Sequence, residues 1–485
     1  MPLPDPILDA LAADASRDAG ERVLDLVARY LARTGRGEGP VSTARSAEEL
    51  AARFAGPLPT GGHPLAEVLE RLEREVLGDV TRLTHPMYMG HQVSAPLPAT
   101  IWIEALISAV NGSTAVREMS PSANAIEHQL VRWFGALAGY GPACGGTLTS
   151  GGTEATFSAL LAARAAALPD AWEQGVGADP PVVVYGEQAH YAVTRAIGAL
   201  GLGLRAGIPV PMRDWHMDVT ALRAILDRLA REGRPVMAVV ATAGSTPVGA
   251  FDDLDAIGTE CERRGLWLHV DGAHGASALL SERHRHRLAG IGRARSIAWD
   301  PHKMMLLPLA AGLVLVREER DLDQAFAQRA PYLFHGAAGE RVWDQGVRSF
   351  QCSRRADAIK LWLALERYGA DGIGRLYDRL CEMTTTLHRL VEAHPAFAAV
   401  HAPESNILCF RYVGGGTVSG AALDQLNFEL RQRYNQAGDG WITTTVLGGQ
   451  RVLRTTLMNP RTGPEHLERL LAGLATVGQA LERGG

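Results

Sequence analysis

Of the 48 basic side chains in this 485-residue sequence, only two are lysines, Lys303 and Lys360. The distinction is chemical: a guanidinium stays protonated and forms no imine, whereas a desolvated lysine can lose its proton and attack a carbonyl. Two positions therefore compete for any Schiff-base role. Lys360 lies in 358–366, an amphipathic helical run at whose edge the side chain is expected to snorkel. Lys303 closes Asp300-Pro301-His302-Lys303, a turn signal between two apolar segments, where side chains are commonly displayed for function. A salt-bridged surface lysine is the competing reading of Lys303.

Two further stretches could serve such an amine. Thr149-Ser150-Gly151-Gly152-Thr153-Glu154 leads into a helical run at 155–167. Glycines let the backbone approach an anion, and free amides and hydroxyls at a helix start supply donors. The segment lacks the Lys-Ser/Thr of a nucleotide P-loop and the spacing of a dinucleotide fingerprint, so a mononucleotide-sized phosphate suits it better. A plain glycine-rich helix cap is the alternative. Asp271, in His269-Val270-Asp271-Gly272-Ala273-His274, ends an apolar strand, with one helix and one strand before Lys303. It is either an ordinary N-cap or a charge held for a ligand. A phosphate cradle, a buried carboxylate and a reactive amine, in that order, are the three anchors of pyridoxal phosphate: phosphate, ring nitrogen and aldehyde carbon. His190, following another strand, offers a flat ring that could stack on the pyridine; a satisfied loop histidine is the plainer reading.

These residues need a scaffold, and the pattern supplies one. Short β-rich runs at 181–185, 236–242, 266–270 and 311–316 alternate with helical stretches at 192–200, 219–231 and 254–264. Nearly continuous apolar strands separated by helices predict an α/β fold with a mostly parallel sheet covered on both faces, ligands sitting at the carboxyl ends of the strands. Residues 1–95 read as a helical arm, too narrow to own a core, that packs on another domain or on a second subunit; 96–377 form the large domain and 378–485 a small C-terminal α+β domain. The net charge of −5 and the lack of a lysine-rich tract argue against a nucleic-acid or anionic-membrane partner. No apolar run reaches the ~18 residues of a membrane span. Nor does the start resemble a signal sequence, so a cytoplasmic location is expected. The five cysteines are scattered without a CxxC pair, and neither a metal site nor a disulfide framework is expected.

Taken together, Thr149 to Thr153, Glu187-Gln188-Ala189-His190, His269 to Ala273, Trp299-Asp300-Pro301-His302-Lys303-Met304-Met305 and Tyr332-Leu333-Phe334 resemble the group II pyridoxal-phosphate decarboxylases. Members of that group act on glutamate, cysteine sulfinate, aromatic amino acids or 2,4-diaminobutyrate. The resemblance runs in order from His85 to the C-terminus. It implies fold type I of the pyridoxal enzymes, aspartate-aminotransferase-like, and a homodimer with shared active sites and a small amino acid as substrate. Position by position it implies Lys303 as the imine lysine, Asp271 as the pyridinium partner, and His190 and Ala273 on the two ring faces. Gly152, Thr153 and His302 match the phosphate side, with Thr246 and Ser296 in the surrounding shell. Arg454 matches the arginine that receives a substrate carboxylate. From the N-terminal side His85, Tyr88, His91 and Gln92 are pocket candidates, and Tyr332 is another. The implied reaction is decarboxylation of an L-amino acid, or of a conjugate derived from one, through an external aldimine and a quinonoid.

One loop departs from the family pattern. Trp343 stands where the glutamate-decarboxylase-like members usually carry a tyrosine that helps protonate the product carbon, and an indole N–H is not a useful acid. Within the family, loss of that tyrosine goes with diversion to oxygen, giving an aldehyde, ammonia and carbon dioxide. Amine-forming decarboxylation and oxidative deamination therefore both stay open. β-Elimination from an S-substituted cysteine, amine transfer to a keto acid and a non-catalytic cofactor-binding protein are further alternatives. Side-chain preference is not selected: Tyr332-Leu333-Phe334 and Phe350-Gln351-Cys352 resemble the acidic-substrate members, His274-Gly275 the diaminobutyrate branch.

Overall fold

A computed structural model of the chain describes residues 6–326, 334, 343–416 and 418–484. Tyr332 lies outside the described residues. The chain divides into two compact units, one made of 92–388 with 401–408, the other of 1–91 with 389–400 and 409–485. The segments expected as N-terminal arm and as small domain thus fall largely within the same compact unit.

In the first unit the strands are β1 (Gly145–Thr149), β2 (Val182–Gly186), β3 (Gly207–Val210), a short pair β4 (Met212–Arg213) and β5 (His216–Met217), β6 (Val236–Thr242), β7 (Trp267–Asp271), β8 (Ser296–Trp299) and β9 (Gly312–Val316). The described residues form a seven-stranded sheet in the order β1-β9-β8-β7-β6-β2-β3, parallel from β8 to β3, with β9 running against both of its neighbours. The mostly parallel α/β sheet expected from the pattern is present. Its strands read as continuous apolar runs because helices cover them: Leu160, Val183, Val193, Ile197, Met237, Val240, Trp267 and Val314 share one buried cluster. Ala155, Ala159, Ala162 and Ala163 let the Gly152–Ala167 helix lie close to the sheet, which brings its N-terminus to the carboxyl ends of the strands.

Lys360 corrects an expectation. It lies on the Ala358–Ala393 helix, but its side chain is 0 % exposed and its ammonium meets Glu104 Oε1 at 3.1 Å and Asp357 Oδ1 at 3.0 Å. The apolar run was legible in sequence; the carboxylate of Glu104, brought by the distant Pro98–Val110 helix, was not. An amine held between two carboxylates is a structural ion pair.

In the second unit β10 (Phe397–Ala399), β11 (Ile407–Tyr412), β12 (Thr443–Leu447) and β13 (Gln450–Thr456) form a sheet in the order β10-β11-β13-β12, accompanied by the helices Gly420–Ala437 and Pro464–Glu482. N-terminal helices Arg17–Gly35 and Ala47–Phe54 belong to the same unit, the latter opened by a Ser46–Glu49 capping box. No helix among the described residues is long and apolar enough to cross a membrane.

Candidate active site

A cavity of about 390 Å³ opens at the carboxyl ends of β1, β6, β7 and β8, lined among others by Gly151, His190, Thr242, Asp271, His302 and Lys303. Gln92, Gly152, Thr153, Thr246 and Ala273 line it as well. The first unit alone therefore collects most of the residues singled out in sequence.

Lys303 is presented by a pinned turn. After β8, Asp300 N–H donates to Ala273 O at 3.2 Å and Lys303 N–H to Asp300 O at 2.9 Å. His302 N–H donates to Ala311 O at 3.1 Å, Ala311 N–H returns a bond to His302 Nδ1 at 3.0 Å, and Ser94 Oγ donates to His302 O at 3.0 Å. Because Nδ1 accepts, neutral His302 carries its proton on Nε2. Burial holds this imidazole below its ordinary pKa against the pull of Asp300.

Asp271 ends β7, is buried, and accepts the Ala273 N–H on Oδ1 at 3.2 Å. His190 follows β2, and its Nδ1 accepts the Ala192 N–H at 3.2 Å, so its neutral form also carries hydrogen on Nε2. Desolvation outweighs the nearby Asp271 charge and keeps its pKa down. A neutral ring with a fixed tautomer is the result.

The glycine loop is held from below and left open above. Glu127 Oε1 accepts Leu148 N–H at 2.8 Å, Thr147 Oγ at 3.1 Å and Arg354 Nη2 at 2.7 Å, all buried. Gly151 takes φ 152°, and a Cβ on Gly152 would meet Ala273 Cβ at 2.7 Å, so side chains are excluded where the loop passes the β7 turn. No side chain among the described residues caps the Gly152–Ala167 helix at its N-cap, Gly151, which leaves first-turn amides for an anion.

Ser296 stands outside the lining. Its hydroxyl accepts from Trp267 Nε1 at 2.8 Å and bonds His269 Nδ1 at 2.9 Å, at the start of β8 rather than its end. Burial pushes the pKa of His269 down to about 4. An unfolded chain takes up this proton near 6.5, the native one only near 4, so the unfolded state binds more protons between those values and stability falls as pH drops through the window. Unfolding in urea should show a loss of roughly 3 kcal/mol from this group between pH 6.5 and 4. His269→Gln should flatten that slope.

Trp343 does not line the cavity: its ring packs 4.3 Å from that of His128, and its carbonyl accepts from Asn124 Nδ2. Tyr88, His91 and Arg454 belong to the other unit, where Tyr88 stacks on Trp441 at 5.4 Å and His91 tilts against the same ring at 4.9 Å. Arg454 is buried on β13, and its charge adds to desolvation in lowering the His91 pKa. Beyond the glycine loop, sequence reasoning missed five lining residues, Gly244 and Leu309 among them. Thr242 ends β6 beside the Asp271 strand, a position the strand-end rule marks; Asp300 and His274 lie inside motifs already quoted, where one was read as a turn former and the other only as a family marker.

The family model described as the pyridoxal-dependent decarboxylase conserved domain matches residues 49–413. The chain belongs to that family. An L-2,4-diaminobutyrate decarboxylase of Rhizobium meliloti (strain 1021) is 33 % identical over 428 residues, 88 % of this chain and 84 % of that protein. A cysteine sulfinic acid decarboxylase of Mus musculus is 31 % identical over 446 residues, 90 % of each chain. The crystal structure of mouse CSAD in apo form is similar at a TM-score of 0.88 and 29 % identity, covering 96 % of this chain and 99 % of that one. The decarboxylase is accordingly a pyridoxal-phosphate-dependent carboxy-lyase of amino acids with the type I fold.

The cavity fits that cofactor. Free helix-start amides beside Gly151 and Gly152 suit a phosphate, Lys303 is the amine within reach of the cavity, and Asp271 is a buried carboxylate on its wall. The decarboxylase thus carries acceptor, amine and anion site in one enclosure.

Proposed function

We propose that this enzyme removes the α-carboxylate from an L-amino acid with a polar side chain and releases the amine, with Lys303 carrying the cofactor. One observation carries the reading: Lys303, Asp271, His190 and the Gly151-Gly152 loop all line a single cavity. Pyridoxal phosphate, when bound, supplies an electrophilic carbon and a ring that accepts the electron pair left by departing carbon dioxide. Asp271 is the group suited to the ring nitrogen, the open helix start and Thr153 to the phosphate, and His190 and Ala273 to the ring faces. His190, neutral with hydrogen on Nε2, can lie flat against an aromatic ring and hold a proton at the cavity wall.

A polar side chain is supported by the lining, where Gln92, Thr246 and His274 face the cavity, and by the diaminobutyrate and cysteine sulfinate preferences of the relatives. A homodimer with shared sites, in the cytoplasm, is part of the proposal. Trp102, Leu106 and Val110, spaced one turn apart on the Pro98–Val110 helix, are exposed and support an apolar interface.

Carbon dioxide, oxygen and organic product followed together over diamino, acidic and aromatic amino acids test the reaction. Carbon dioxide with an equal amount of amine and no oxygen uptake is expected; aldehyde with oxygen uptake would replace this reading by oxidative deamination. Trp343 packs on His128 outside the cavity of its own chain. Because the wild type is expected to release the amine, Trp343→Tyr should leave the product unchanged, and a switch from aldehyde to amine in that variant would show that the position governs the outcome.

A further inference from the structure

Asp300 places a negative charge where the fold prepares for an anion. Its side chain is almost fully buried; Oδ2 lies 3.3 Å from Lys303 Nζ and 3.5 Å from His302 Nε2, and Oδ1 is buried without a hydrogen-bond partner among the described residues. The same Oδ2 stands 3.0 Å from where a Cβ on Gly152 would be, so the carboxylate leans on the glycine loop itself. Around it are the uncapped helix start, the Lys303 ammonium and the Nε2 hydrogen of His302. Each of these attracts anions, and one anion already belongs to the chain.

We propose that Asp300 is a resident counter-anion of the cofactor cavity. It pairs with the Lys303 ammonium and faces the Nε2 hydrogen of neutral His302 while the cavity holds no phosphate, which keeps the Lys303 charge from standing uncompensated. A phosphate group entering the loop must share those donors with a fixed negative charge at short range, and in a buried site such repulsion is weakly screened. Asp300 thereby loosens the hold on the cofactor and makes the loaded fraction follow the free cofactor concentration. The inference rests on the reading of this cavity as the cofactor site.

The test uses the full-length cofactor-free protein as wild type, Asp300→Asn, Asp300→Ser and Lys303→Arg. Inorganic phosphate is titrated calorimetrically, and pyridoxal phosphate by its visible absorbance. Removal of the charge is expected to tighten inorganic phosphate binding about tenfold or more in both Asp300 variants, and to slow cofactor loss on dilution. An aspartate that merely braced the turn would, when replaced, weaken binding and lower the melting temperature together. Phosphate affinity that is unchanged or weaker in whichever Asp300 variant folds overturns the inference. Lys303→Arg, which keeps the charge beside Asp300, separates the two readings: loss of the absorbance with retained phosphate binding keeps the cofactor assignment whatever Asp300 does, and retained absorbance removes the assignment itself.

Discussion

Lys303→Ala is expected to lower carbon dioxide release at least about 10³-fold and to abolish the visible absorbance of lysine-bound cofactor. The size of the effect follows from the lack of a substitute. Arginines cannot take the role, and the ammonium of the other lysine is sealed between Glu104 and Asp357 with no exposed side-chain surface. Lys303→Arg is the control, because it keeps the positive charge beside Asp300 while removing the nucleophile. It should retain phosphate affinity and lose turnover. Borohydride reduction followed by peptide mapping gives a second reading: wild type should hold the cofactor on the peptide containing Lys303, and either variant should hold none. Label on the Lys360 peptide would overturn the assignment.

Arg354→Met should destabilise the unit by about 3–5 kcal/mol, because it leaves Glu127 as an uncompensated buried charge. Glu127 and Arg354 are both nearly inaccessible, 1 % and 5 % exposed, and form a 2.7 Å ion pair. The guanidinium also donates to Leu148 O at 2.8 Å and Thr114 Oγ at 2.9 Å, so one side chain ties β1 to two other parts of the chain. A Glu127→Gln/Arg354→Met double variant removes both charges and should recover part of the loss, a coupling that a urea unfolding cycle reads directly. Since β1 runs straight into the glycine loop, cofactor affinity should fall with the single variant. A cost below about 1 kcal/mol would mean that water reaches the pair.

Much of this was legible in sequence for local reasons. The helices Val219–Arg231 and Leu254–Arg264 and the strand Val236–Thr242 stand where the apolar spacing placed them, because Asp218 and Asp253 cap the helix starts and Gly265 closes the second helix in the left-handed conformation. Asp271, His190 and Lys303 were singled out because each follows a strand or closes a turn signal, and all three line the cavity. Partnerships across long sequence separations were out of reach. Glu104 with Lys360, Glu127 with Arg354 and Trp343 with His128 join segments that no periodicity relates. The helical run expected at 358–366 is broken at Gly369, whose φ of 69° and ψ of 160° are not helical, and a second helix runs on from there to Ala393.

The sealing of Lys360 also changes how the folded protein meets electrophiles. With that ε-amine withdrawn into an ion pair, Lys303 is the one lysine side chain that an acylating or carbonyl reagent can find. Lysine modification of the native enzyme, read by peptide mapping, becomes a single-residue titration, and protection by the cofactor a direct count of loaded sites. By the same logic lysine-directed tagging, whether by a chemist or by a cell, has no harmless surface lysine to land on: any such mark falls in the active site or requires the fold to open.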